Sequence, residues 1–145
     1  MVKLILLLLA LSAFDTSLFA KKTQAEKVKM QNLEVVRMAA KEMTSKLPQK
    51  VDTYTQLVTI EPKDESLTYI FEINTGAKSD AAIIREAGKR KMDERIMRGI
   101  CSSSKRFIEN GIAISYLYKS AASKKQLFRY DANETRCRDL IGPAY

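Results

Sequence analysis

Hydrophobic and polar positions change period several times along this chain, and each change predicts an element. Leu4 to Leu11 is an almost unbroken aliphatic run behind Lys3. From Thr23 to Lys46 apolar residues recur every three or four places, through Leu33, Val36, Ala40, Met43 and on to Leu47. That spacing predicts an amphipathic helix, which Pro48 stops. Val51–Ile60 is rich in Thr, Tyr, Val and Ile and predicts a strand, followed by a polar turn over Glu61–Glu65. Leu67, Tyr69, Phe71 and Ile73 then alternate with Thr68, Ile70, Glu72 and Asn74, the period of two expected of a half-buried strand.

Ser79 or Asp80 suits the cap of a second helix, which carries Ile83, Ala87, Met92, Ile96 and Ile100 near one face. Ser102-Ser103-Ser104 predicts a break, because serines compete for backbone hydrogen bonds. Lys105–Glu109 predicts a short helix ending at a left-handed Asn110-Gly111. Ile112, Ile114, Tyr116 and Tyr118 alternate again, Ser120–Lys124 turns the chain, and Gln126–Ala132 returns as a strand.

The order helix, hairpin, helix, hairpin predicts an α+β fold: a four-stranded, mostly antiparallel sheet with helices packed on one face. How the second and third strands pair stays open. One long helix between them makes them parallel; a break at the serines lets the chain fold back and makes them antiparallel. The uncovered face of the sheet shows Thr68, Ile70, Glu72, Ala113, Ser115 and Leu117, a semi-polar surface.

The first 20 residues change the picture most. A basic start, an apolar run too short to span a bilayer and a small residue at Ala20 predict a secretory signal over residues 1–20. The remaining segment, 21–145, is the size of one domain. Its ends, 21–27 and 138–145, have little to bury and are expected to fray. Export leads to an oxidising compartment, so the even pair Cys101 and Cys137 predicts one disulfide. The expected address is periplasmic or secreted, soluble after cleavage.

Charge points to partners. The chain has 25 Lys/Arg against 17 Asp/Glu, a formal +8, and the leader removes only Lys3 and Asp15 from that balance. Cations concentrate between Arg85 and Arg106. Arg85, Lys89, Lys91, Arg95, Arg98, Lys105 and Arg106 are the candidate residues for an anion or an acidic partner, with Lys91, Arg95 and Arg98 on one helical face.

Chemistry is limited. The chain has no histidine, which removes the commonest neutral-pH base and the triads built on it. No glycine-rich phosphate loop occurs, and two distant cysteines do not make a zinc site. Ser102-Ser103-Ser104-Lys105 fits a Ser-x-x-Lys pattern, but its companion motifs are missing and a helix cap explains it. Asn133-Glu134-Thr135 fits the N-glycosylation pattern and carries meaning only in a eukaryotic secretory route. No catalytic residue, cofactor or metal is expected.

Leu47-Pro48, Val51-Asp52, the Tyr69–Ile73 strand, Cys101, Gly111 leading into Ile114–Tyr118, and Cys137 together resemble small exported proteins of Gram-negative bacteria that carry a single disulfide. The resemblance spans about residues 47–137 and implies a periplasmic address, with no catalytic residues. The expected function is that of a non-enzymatic envelope protein that binds another macromolecule, most directly a protein, in an accessory, assembly or inhibitory role. The alternative is binding of an anionic ligand, lipid headgroup or nucleic acid through Arg85–Arg106.

Overall fold

The computed structural model describes the backbone of residues 2–89 and 92–142, and the side chains of residues 23–88 and 92–142. Its elements are α1 (Val2–Thr44), β1 (Gln49–Lys50), β2 (Thr55–Lys63), β3 (Ser66–Ile73), α2 (Asp80–Lys89), α3 (Met92–Ser103), α4 (Lys105–Glu109), β4 (Ala113–Ser120), β5 (Gln126–Ala132) and α5 (Glu134–Ile141). One sheet runs in the order β1-β2-β3-β4-β5. All neighbours are antiparallel except β3 and β4, which are parallel with Leu67 opposite Ile114 and Tyr69 opposite Tyr116.

The α+β class stands, but the expected four-stranded, mostly antiparallel sheet is corrected to five strands of mixed direction. The added strand, β1, is only Gln49–Lys50, too short to leave a hydrophobic period. After the cis Leu47–Pro48 bond the chain runs beside Gln56 and Leu57, with Gln49 opposite Leu57 and Lys50 opposite Gln56. The break at the serines is present, yet it does not make β3 and β4 antiparallel. Helix α4 is a single turn, rising about 7 Å, too short to carry the chain back across the sheet. The return is made by α2 and α3, and Ala113 donates to the carbonyl of Glu65 (2.9 Å), so β4 starts where β3 starts.

The expected long helix between the hairpins is two helices, α2 and α3, and the expected short helix Lys105–Glu109 is α4. A fifth helix, α5, occupies a stretch whose hydrophobic pattern predicts only a tail. Asn133 accepts from Arg136 N at its start (2.9 Å), which gives Asn133 a structural role as an N-cap.

Val36 and Ala40 from α1, Met97, Ile100 and Cys101 from α3, Ile108 from α4 and Cys137 from α5 pack with Ile60, Leu67, Ile114, Tyr130 and Ala132 of the sheet. These strand residues alternate onto one face, so the helices cover one side, as the pattern requires. Cys101 and Cys137 form a disulfide, with Cα atoms 5.6 Å apart, that ties α3 to α5. Buried Asn32 closes the opposite end: its amide donates to Glu65 Oε1 and to the Asn110 carbonyl, both at 2.9 Å. Gly111 turns there with φ +82°, a backbone conformation that other residues rarely adopt.

Candidate protein-docking cleft

The middle of the helix-bearing face is filled by aromatic rings. Strand alternation puts Tyr69 and Phe71 of β3, Tyr116 and Tyr118 of β4, and Phe128 and Tyr130 of β5 on it. Tyr69 and Tyr116 lie 5.2 Å apart, Phe71 stacks on Tyr118 at 4.7 Å, and Tyr118 meets Phe128 edge-on at 6.4 Å. Tyr69, Tyr116, Tyr118 and Phe128 are only half-buried. Burial pushes the Tyr69 and Tyr118 phenols up to about 12, and the neighbouring Tyr116 phenol adds to both shifts. Tyr116 rises for the same reason, against a hydrogen bond with Ser103 that opposes it. Tyr130 is raised by burial and by donating to Asp93 Oδ1 (3.0 Å). All four stay neutral at physiological pH and offer hydroxyls as neutral donors and acceptors.

At the Phe128 end this floor opens into a cavity of about 450 Å³ between the 51–54 loop and helices α2 and α3. Asp52, Tyr54, Ile73, Ile83, Met92 and Phe128 are among its lining residues. A second cavity of about 430 Å³ adjoins it and shares Tyr54, Ile73, Ile83 and Glu86. The loop is rigid for a local reason. Asp52 accepts from Tyr54 N (2.7 Å) and Thr55 N (2.8 Å), and Val51 N donates to the Thr55 carbonyl (2.9 Å). The Tyr54 amide bond holds Asp52 below the usual carboxylate range, ahead of a partial desolvation that opposes it. Asn74 N in turn donates to the Tyr54 carbonyl (2.8 Å). The Tyr54 backbone is pinned on both sides while its ring is 66% exposed. Val51 (57% exposed) and Ile84 (44%) extend the same loop-and-α2 surface. Apolar side chains held out on fixed backbone lose little entropy when a partner covers them, which is the physics of a docking anchor.

The basic stretch is arranged differently from its sequence pattern. Arg85 lies on α2, Arg95 and Arg98 on α3, Lys105 and Arg106 on α4. Lys89 ends α2, with its side chain outside the described residues, and Lys91 lies outside them altogether. The single cationic face therefore reduces, among the described residues, to Arg95 and Arg98. Arg98 is paired with Glu94 (2.9 Å) and Lys105 with Glu109 (3.2 Å), each four residues apart. Arg106 lines a groove between α1 and α4 with Glu34, Val35 and Met38. Ser104, buried, starts α4, so Ser102–Lys105 is a helix junction.

The uncovered face satisfies its polar groups from within. Ser115 Oγ donates to Asp131 Oδ1 (2.6 Å) and accepts from Arg129 (3.3 Å). Burial pushes the Asp131 carboxyl up, but those bonds and the Arg129 charge outweigh it and lower its pKa. Lys124 pairs with Glu72 (2.8 Å). Sequence reasoning named that face and missed the cleft. The available signal was Asp52 two and three residues before Tyr54 and Thr55, a turn pattern inside a stretch read as strand.

Among the described residues no group of His, Cys, Asp and Glu side chains could hold a metal ion, and no helix is long and apolar enough to cross a membrane.

Known structures share this fold at low identity. A protein of Pseudomonas aeruginosa described as secreted is 12% identical with a TM-score of 0.65, over 77% of this chain and 96% of that one. The type II secretion system pilotin EpsS of Vibrio vulnificus is 11% identical with a TM-score of 0.59, again over 77% and 96%. The pilotin AspS of the Vibrio cholerae type II secretion system is 10% identical with a TM-score of 0.58, over 78% and 98%. At such identities the likeness shows the fold alone. No curated protein matches the sequence. Residues 30–128 match the sequence model of the family described as Domain of unknown function (DUF8479), and the chain belongs to that family.

Proposed function

We propose that this protein is exported, loses residues 1–20, and acts without catalysis as an accessory of the Gram-negative envelope by docking a protein partner in the cleft between the 51–54 loop and α2. The observation that carries the reading is the rigid backbone at Tyr54 presenting an exposed ring over an aromatic-floored cavity. Its fold is that of type II secretion pilotins and of a protein described as secreted, which supports an accessory role over an enzymatic one. Residues Val51, Tyr54 and Ile84 supply the contact, and the Tyr118 and Phe128 rings receive an apolar side chain of the partner. The basic helices are not used in this reading: Arg98 and Lys105 hold glutamates, and Arg85, Arg95 and Arg106 lie on three different helices.

A photo-crosslinking amino acid at Tyr54, in the full chain expressed in a Gram-negative cell, tests it. One discrete adduct from the envelope fraction is expected, and Ile84→Asp abolishes it while the thermal melt is unchanged. The reading fails if no adduct forms, or if the same adduct forms with the crosslinker at Arg136 on α5.

A further inference from the structure

Helix α1 carries two cations, Arg37 and Lys41, on the side that lies toward β2. Arg37 and Lys41 are exposed and one helical turn apart, and among the described residues neither makes an ion pair. Lys46, Arg98, Lys105 and Arg138 each hold a glutamate four residues away, whereas the two cations on this side of α1 are left to the groove beside them. Like charges at that spacing repel, so this pair does not support the helix by an ion pair of its own.

Arg37 and Lys41 form one wall of an open groove of about 520 Å³, with Ala40, Thr44 and Ser45 beside them and Ile60 and Pro62 of β2 opposite. The Thr44 hydroxyl donates to the Ile60 carbonyl (3.5 Å), so the outer edge of β2 faces this groove. Pro62, two residues on, points the same way and has no N–H to give. A guest strand adding here finds no backbone donor at Pro62, so recognition leans on side chains. The helical rise separates Arg37 from Lys41 by about 6 Å. In an extended chain, side chains on one face repeat at about 6.6 Å. The two spacings match.

We propose that the α1–β2 groove docks an extended acidic segment of a protein, in which Asp or Glu alternates with an apolar residue. Two carboxylates meet Arg37 and Lys41, and the apolar side chain between them lies on Ala40, Ile60 and Pro62. The surface is separate from the Tyr54 cleft, and the inference does not rest on that cleft being a docking site.

The test uses the oxidised protein without its leader and a labelled probe, acetyl-Glu-Val-Glu-Val-Glu-amide, followed by fluorescence anisotropy. Saturable binding is expected, weakening as salt rises from about 50 to 500 mM. Arg37→Glu with Lys41→Glu should weaken it about tenfold or more, while Tyr54→Ala leaves it unchanged. Arg37→Gln with Lys41→Gln, the gentler exposed change, should weaken it in the same direction. The proposal is overturned if the probe does not bind, if both double variants bind it as well as the parent does, or if acetyl-Lys-Val-Lys-Val-Lys-amide binds equally. It is also overturned if phosphatidylglycerol vesicles bind through Arg37 and Lys41 while the peptide does not, which would assign the surface to a membrane.

Discussion

The two faces of the sheet are made by the same strands in the same register, yet they differ in nearly every physical respect. The face under the helices holds Leu67 and Ile114, both fully buried, and a band of stacked and tilted rings from Tyr69 to Tyr130. The face away from them holds Thr68, Glu72, Ser115, Lys119, Arg129 and Asp131; Ser115, Arg129 and Asp131 bond to one another between β4 and β5, and Glu72 pairs with Lys124 of the turn between those strands. The first face stabilises by apolar burial; the second buries Ile70, Leu127 and Ser115 but sets them among polar side chains, several of them bonded to one another. A partner gains little by covering a face whose donors and acceptors are already satisfied. It gains more where apolar surface is held in the open, as at the Tyr54 loop.

That contrast predicts unequal responses to perturbation. Ile114→Ala removes a fully buried side chain between the helices and the middle strands. It should cost about 2–5 kcal/mol in urea unfolding. A cost within about 0.5 kcal/mol would mean that the helix face is not the stabilising one.

Alkali should also act on the helix face. The Tyr69 and Tyr118 phenols titrate at about 12 in the folded chain, against an ordinary value of 10.0. For an acid raised on folding, the neutral form is the stabilised one. The contribution is therefore complete below pH about 10 and is lost as pH climbs from 10 toward 12. The melting temperature should fall across that window, and Tyr69→Phe should make the fall shallower. A curve that Tyr69→Phe leaves superimposable would count against the buried-phenol account.

The smallest effect belongs to the other face. Lys124→Ala breaks the ion pair with Glu72, whose lysine is well exposed. The change in stability should stay within about 0.5 kcal/mol and shrink further in salt. A larger loss would show that the solvated face contributes more than its matched charges suggest.

Wherever a local period or a local hydrogen bond decided the outcome, the elements were legible in the chain. The alternation Leu67–Ile73 and Ile112–Tyr118 marked β3 and β4, Lys105–Glu109 marked α4, and Gln126–Ala132 marked β5 with its observed bounds. Cys101 and Cys137 predicted the disulfide that joins α3 to α5. Residues Gln49–Lys50 escaped because two residues have no period, and Glu134–Ile141 escaped because only Cys137 of that helix is fully buried. The candidate site was hidden for a similar reason. Tyr54 reads as one more β-forming residue, and only the carboxylate of Asp52 turning back on the loop makes it an exposed anchor.

By itself the sequence determined the apolar residues that pack under the helices, where the chain turns, and which sulfurs pair, because these follow from spacing, capping and an even cysteine count, whereas Ile70 and Ser115, expected on an uncovered face, are buried. The tertiary structure alone decided that β3 and β4 run parallel, that the described cations between Arg85 and Arg106 are dispersed over three helices, and that Arg37 and Lys41, without an ion pair among the described residues, stand beside Pro62. Those outcomes depend on where distant segments meet in space, and no periodicity along the chain encodes a meeting between residues that are neighbours only after folding.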